Sequence, residues 1–317
     1  MSSMQKDSEK GTSLWRDAWQ RLQNNKASII SVWILVIVGL SCLIGPLFPF
    51  IENPNHQELP NRNASPSGDH WFGTDHLGRD LFSRVLYGGR ISILVALITA
   101  FVSLTIGMIW GSIAGYTKGR LDAFMMRTVD ILYALPFLVI VILLRISFEP
   151  MTSKLTEFVI GITGKDSREA VEPITTLIPL FLAIGALSWL SLSRIVRASV
   201  QNVASQEYIE AARSLGLGHG KILFKHILPN VLGPVIIYTT LTIPSIMLFE
   251  AMLSFLGLGV KAPNASWGVL INEGADRMFS NPQLLVFPSI FFVVTLLALN
   301  FLGDGLRDAL DPKASKD

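Results

Sequence analysis

Charge is what this 317-residue chain has least of: Asp, Glu, Lys and Arg make up 16% of it, against 50% hydrophobic residues. Soluble domains carry about a quarter charged residues. The shortage is also uneven. Runs 29–51, 91–117, 173–193, 227–249 and 278–303 contain no charged residue, and each reaches the ~20 residues a helix needs to cross ~30 Å of hydrocarbon. A sixth stretch, 123–148, is apolar except for Arg127, Asp130 and Arg145. A soluble globular domain is excluded, and the chain reads as an all-α integral membrane protein with six transmembrane helices. A net charge of only +2 gives no basic surplus for a nucleic-acid partner. The single cysteine, Cys42, lies in the first run and can form no internal disulfide. Gly39 stands where a lipoprotein cleavage site usually has Leu, so Cys42 reads as a core residue. The polar leader is too long, and the run behind it too long, for a cleaved signal peptide.

Catalytic motifs are missing as well. There is no His-Glu-x-x-His and no Gly-x-Ser-x-Gly, and Phe301-Leu302-Gly303-Asp304 lacks the first glycine of an intramembrane aspartyl motif. Leu215 and Ile222 occupy positions where a phosphate loop around Gly220-Lys221 needs Gly and Ser or Thr. The chain is therefore not read as an enzyme and carries no ATPase site. Six spans without a repeated half also argue against a secondary transporter.

Sixteen of the 26 Lys and Arg residues fall on the side of the chain termini and ten on the other, which puts both termini in the cytoplasm by the positive-inside rule. The organisation is then a cytoplasmic tail 1–28, span one at 29–51 and an external loop 52–90. A transmembrane core 91–304 holds helices two to six and a long cytoplasmic loop 194–229, and a tail 305–317 follows. Trp15, Trp19 and Leu22 at helical spacing predict an interfacial helix in the first tail. The second external excursion, 149–172, contains an amphipathic stretch 155–162 expected on the membrane surface. Pro136, Pro179, Pro244 and Pro288 are read as kinks within spans.

The long cytoplasmic loop is the richest segment. Ser205 is expected to cap a short helix, Ala211 and Ala212 to favour it, and Gly216 to end it in the left-handed conformation. Tyr208, Ala211, Ala212 and Leu215 fall at i, i+3, i+4 and i+7, a small and apolar face that should dock into a partner. Externally, Asp69, His70, Asp75 and His76 match neither a Ca²⁺ loop nor a zinc motif. A glycine-shaped turn held by an Arg79–carboxylate contact is expected there, with no metal. Arg127 and Asp130 are spaced to pair on one helix face. Glu250 follows twenty-three charge-free residues; a structural hydrogen-bonding role and a place at an external gate or pathway both stay open.

Glu210-Ala211-Ala212, then Gly216, then Leu228-Pro229 resembles the EAA loop of binding-protein-dependent ABC importer permeases. His226 stands where the general pattern has Ile, and His226-Ile227-Leu228-Pro229-Asn230 is similar to the peptide- and nickel-importer branch. Gly73-Thr74-Asp75 with Gly78-Arg79-Asp80 resembles the signature before span two of that branch. The segment 249–259 with Ser266-Trp267-Gly268 matches its segment leaving span five, and 303–312 is close to the oligopeptide permease C-type subunit. The resemblance implies the type I ABC importer permease fold in a bacterial cytoplasmic (inner) membrane, multi-pass. It also implies a second homologous permease subunit and two ABC ATPase subunits that hold ATP and Mg and grip the loop at Tyr208, Glu210, Ala211, Ala212, Leu215 and Gly216. An extracytoplasmic solute-binding protein would deliver the substrate, with no cofactor on this chain. Oligopeptides are the expected substrate; dipeptides, nickel or another small solute fit the same architecture. The stretch 149–172 is longer than usual for the family, and no role is carried over to it.

Overall fold

The computed structural model describes residues 14–48, 51–164, 168–262 and 264–310. The charge-free runs fold as helices, because in hydrocarbon a backbone must satisfy its own hydrogen bonds. An amphipathic helix, α1 (Leu14–Asn24), leads into α2 (Lys26–Ile44) through Asn25, whose side chain accepts from the backbone N–H of Ala27 and Ser28. A 3₁₀ turn at Gly45–Leu47, with Pro46 in its first turn, closes the first span. That span is 26–47, shifted a few residues upstream of the expected 29–51.

The following loop ends earlier than the expected residue 90. Asp80 caps α3 (Leu81–Thr117) by accepting from the Ser83 backbone N–H at 2.8 Å, so residues 81–90 are helix. Their polar groups suggested solvent, yet Ser83 and Arg84 are buried and paired within the protein.

The expected span 123–148 is broken. Helices α4 (Gly119–Ala134) and α5 (Phe137–Thr163) meet at 92°. Pro136 forces Leu135 into extended backbone (ψ 144°) and cannot donate to the preceding turn. Among the described residues, five helices are long and apolar enough to cross a membrane, six if the bent pair counts as one span. The stretch 155–162 is no separate surface helix; it is the continuation of α5, which runs through Pro150. It leads to α6 (Arg168–Thr175), tied back by a Thr156–Thr175 hydroxyl contact of 2.6 Å.

The chain then forms α7 (Ile178–Ala204), α8 (Glu207–Ser214), α9 (His219–Ile222) and a π-helical turn at Leu223–Ile227. It continues through α10 (Leu228–Phe255) and α11 (Trp267–Ala275) to α12 (Gln283–Leu310). Pro179 sits in the first turn of α7, where its missing N–H costs nothing, so it is no kink; Pro244 and Pro288 lie inside helices, as does Pro234.

Helices α3 and α7 approach each other closely along three glycines. A Cβ on Gly111 would lie 2.5 Å from the Ser193 carbonyl oxygen and one on Gly115 2.7 Å from that of Arg197, while Gly107 faces Leu192 at 3.0 Å. This stripe of three glycines at four-residue spacing lets two backbones meet, the membrane route to dispersion contacts where lipid supplies no hydrophobic drive. Around it Val95, Ala183, Met247, Trp267 and Phe292 join α3, α7, α10, α11 and α12 in one core.

At the other margin α1 folds back on α12 through Ala18, Leu22 and Ala309. It is thus held by protein along its Leu22 side, while Trp19, 60% exposed, faces away. Gly305 backs against Ser28, which sets the C-terminal end of α12 beside the start of α2. Gly45 and Cys42 near the end of α2 pack on Leu86 and Gly89 near the start of α3. The two described ends of the chain and the Thr117 end of α3 therefore share one end of the bundle. Parts of the expected tails, residues 1–13 and 311–317, lie outside the described residues.

Candidate functional site

The loop between α7 and α10 is pinned to that same end. Ile209, Ile222 and Ile227 are fully buried and join Val196, Val200 and Ala204 of α7 with Val231 and Val235 of α10 in a second core. The Tyr116 hydroxyl meets His219 Nδ1 at 2.9 Å, and the Arg213 guanidinium lies over the Tyr116 ring at 5.8 Å, so α3 holds both halves of the loop. Gly216 has φ +80°; its N–H donates to the Arg213 carbonyl, and that of Leu217 donates to Ala212. The helix is thereby closed by a left-handed glycine. Ser205 does not cap α8. It stands at the C-terminal cap of α7 and its hydroxyl donates to Asn202 O, while Gln206 precedes α8 with no side-chain cap bond.

With Ile209 inward, Tyr208, Glu210, Ala211, Leu215 and Gly216 point outward and Ala212 is half-buried. Leu215 is 80% exposed and Phe224 72%. Such side chains leave large apolar groups uncovered at this end of the bundle. The Ile209 anchor escaped sequence reasoning, because the eight-residue helix α8 is too short for one apolar stripe to stand out from another.

At the opposite end the signature residues fold into a cap over the start of α3. Gly73 (φ +78°) and Gly78 (φ +74°) are required there: a Cβ would fall 2.4 Å from the Ala64 carbonyl oxygen and 1.9 Å from that of Glu58. Thr74 lies between them, its hydroxyl bonded to Asn61 O and its N–H to Ala64 O. Asp75 accepts from Arg79 Nε at 2.6 Å, from Arg84 Nη1 at 2.7 Å and from the backbone N–H of Leu77 and Arg79. Burial pushes the Asp75 carboxyl up, but Arg84, Arg79 and the two amides outweigh it and hold the group below its ordinary value. Arg84 also reaches Glu273 of α11 at 2.8 Å, and Asp80 takes His70 Nδ1 at 3.2 Å. His70 is thus engaged by Asp80 and Asp75 by the two arginines, and among the described residues no group of His, Cys, Asp or Glu is arranged to hold a metal. The Arg84–Glu273 tie was invisible in the sequence, since 189 positions separate the two.

Glu250 is fully buried. It accepts from Ser266 at 2.7 Å, Ser254 at 2.9 Å and Ser92 at 3.3 Å, and Ser92 in turn accepts from the Trp267 N–H. The carboxylate thus brackets α3, α10 and the start of α11. Asp130 does not pair with Arg127 as its spacing suggested; it meets Arg194 of α7 at 2.8 Å, where a second helix offers a better-aligned cation. Asp122 similarly takes Arg197 Nη2 at 2.6 Å.

A cavity of about 330 Å³ opens between the α4–α5 break, α7 and α10. Hydroxyls of Tyr133, Ser188, Ser191, Tyr238, Thr242 and Ser245 line it beside Phe137 and Phe249, and no charged side chain does. Glu250 does not line it.

Residues 107–316 match the family described as binding-protein-dependent transport system inner membrane component. The chain belongs to this family. Residues 13–66 match the N-terminal transmembrane domain of oligopeptide transport permease C. The permease is 43% identical over 304 residues to the oligopeptide transport system permease protein OppC of Haemophilus influenzae, covering 96% of this chain and 90% of that one. It is 40% identical to OppC of Bacillus subtilis, covering 98% and 94%, and 40% identical to the dipeptide transport system permease protein DppC of the same organism, covering 94% and 85%. Its fold is similar to that of the inward-facing MetNI methionine ABC transporter, with a TM-score of 0.52 at 18% identity over 72% of this chain and 96% of that one. The permease is accordingly a multi-pass inner-membrane transport subunit with the ABC importer permease fold.

Proposed function

We propose that this permease forms half of the pathway of an ATP-driven, binding-protein-dependent oligopeptide importer. A second homologous permease subunit completes the pathway, and two ATPase subunits, which hold ATP and Mg, dock on the coupling loops. An extracytoplasmic binding protein delivers peptide at the opposite end. The chain itself needs no cofactor.

The observation that carries this reading is the coupling loop: pinned by three buried isoleucines and Tyr116, it presents Tyr208, Glu210, Ala211 and Leu215 outward. A loop so held moves with α3, α7 and α10 rather than independently of them, so pulling on it switches the bundle, provided ATP prefers one of the two states. The cavity supports a peptide cargo. Hydroxyls can donate to and accept from any peptide backbone, and a lining without charge does not select among side chains. Dipeptides are the second reading, favoured by equal identity to a dipeptide permease.

The test is reconstitution with the second permease, the ATPases and the binding protein. Glu210→Lys should insert and pair normally yet lose peptide-stimulated ATP hydrolysis and uptake. Full uptake by this variant sinks the coupling role. Competition of labelled tetrapeptide uptake by dipeptides separates the two substrate readings.

A further inference from the structure

The cavity between the α4–α5 break, α7 and α10 has uncharged walls, yet two opposite charges stand at its mouth toward the α7–α10 loop. Tyr133 of α4 and Ser191 of α7 line that end, their hydroxyls 3.4 Å apart. One turn nearer the loop on each helix, Arg194 Nη2 donates to Asp130 at 2.8 Å. The Arg194 guanidinium also lies over the Tyr133 ring, 4.4 Å from its centroid. The Asp130 side chain is 63% exposed and that of Arg194 42%, so both are open to a passing solute. The other charges of α4 and α7 are Arg120, Arg127 and the Asp122–Arg197 pair, to which Gln201 donates. Residues 228–249 of α10 carry none.

Charged side chains within a membrane bundle face protein or a water-filled path. An exposed ion pair adds little to stability, and Arg197 already ties α4 to α7 through both oxygens of Asp122. The pair matters more for what passes it. Opposite charges side by side nearly cancel, whereas either alone would attract cargo of one sign and repel the other. We propose that the Asp130–Arg194 pair is a charge-balanced mouth that sets the cargo range of the pathway, passing acidic and basic peptides alike. The inference rests on the peptide-transport reading and adds to it the residues that decide charge selectivity.

The test first probes the mouth itself, in a Cys42→Ala chain assembled with the second permease and the ATPases. Ser245→Cys, on the α10 wall, is treated with a cationic or an anionic methanethiosulfonate from the α7–α10 loop side, and the rate is read on this chain after separation. Arg194→Gln should raise the ratio of cationic to anionic rates and Asp130→Asn should lower it. Each shift should be about fivefold or more, the effect of one unit charge passed at ~4 Å in water. Uptake of tri-lysine and tri-glutamate at limiting concentration then reads the consequence. Each variant is referred to the unaltered complex, so preferences of the binding protein and the charge of Arg127 cancel. The same substitutions should move the tri-lysine to tri-glutamate ratio in those two opposite directions. Arg194→Lys should leave it in place, and Asp130→Arg combined with Arg194→Asp should restore it.

Equal loss for both peptides with unshifted thiol rates makes the pair a strut between α4 and α7, and overturns the mouth while the peptide reading stands. Thiol rates that shift without the uptake ratio put the pair off the cargo's route and overturn it too. A Ser245→Cys thiol that reacts with neither reagent removes the open cavity on which the inference depends. Import of tri-alanine but of neither charged peptide by the unaltered complex contradicts a charge-balanced route. An unaltered complex that imports none of the three overturns the peptide reading and this inference with it.

Discussion

Gly216 is a position where space and conformation can be separated. Nothing lies within 4 Å of where its Cβ would be, but its φ is +80°. A substitution is therefore opposed by the backbone alone, by about 1–2 kcal/mol for most residues and more for a β-branched one. Gly216→Val should abolish stimulation of the partner ATPases while leaving membrane insertion intact. Gly216→Asn, which tolerates the left-handed region, should retain most of it; ATP hydrolysis in liposomes with subunit stoichiometry reads both. Asp75 gives a pH dependence. Its folded value is depressed, so its contribution is fully present above the ordinary carboxylate value near 3.8 and is lost as pH falls below it through the folded value. Protease resistance of the 52–80 segment should hold from neutral pH down to that range and collapse below it, and Asp75→Asn should make the segment sensitive at neutral pH. Glycines 73, 78 and 216 were legible in the sequence because turn chemistry is local. The partners of Asp75, Glu250 and Arg84 were legible only in part, because an ion pair across 189 positions leaves no local pattern.

Elements are held by approach as much as by apolar content. Gly111→Leu would drive a side chain into the Ser193 carbonyl, where no side chain can give way. It should lower the apparent melting temperature in detergent by an amount corresponding to about 1–3 kcal/mol or more. Gly39→Leu, in α2 with nothing within 4 Å of where its Cβ would be, should change little. If both variants melt alike, the α3–α7 contact is not what holds the bundle. The five unbroken spans were readable from length and hydropathy. The α4–α5 break was not, because hydropathy averages across Leu135-Pro136 and shows apolar residues on both sides of a right-angled bend. The glycine stripe was available in the sequence at positions 107, 111 and 115, but only a neighbouring helix gives such spacing meaning. The anchor of α8 was hidden for a related reason: Ile209 and Leu215 are both apolar, and only packing separates the buried one from the exposed one.

For the whole molecule, the expected arrangement is that the end carrying the coupling loop faces the cytoplasm. In a Cys42→Ala background, Ser65→Cys should react with an impermeant thiol reagent on intact cells, and Ser205→Cys only after permeabilisation; both positions are exposed. Labelling of Ser205→Cys from outside would reverse the molecule and remove the coupling role. The unbroken length of α3 has a mechanical consequence. At 37 residues it is about 55 Å long, nearly twice the hydrocarbon thickness. The 52–80 cap, whose Asp75 pairs with Arg84, is built on its first turns, and Tyr116, which holds the α7–α10 loop, sits at its last. One stiff rod thus carries a handle outside each face of the bilayer. Any tilt imposed by a partner at one end displaces the other in the opposite direction, with no relay of intermediate residues, much as an oar turns in its lock.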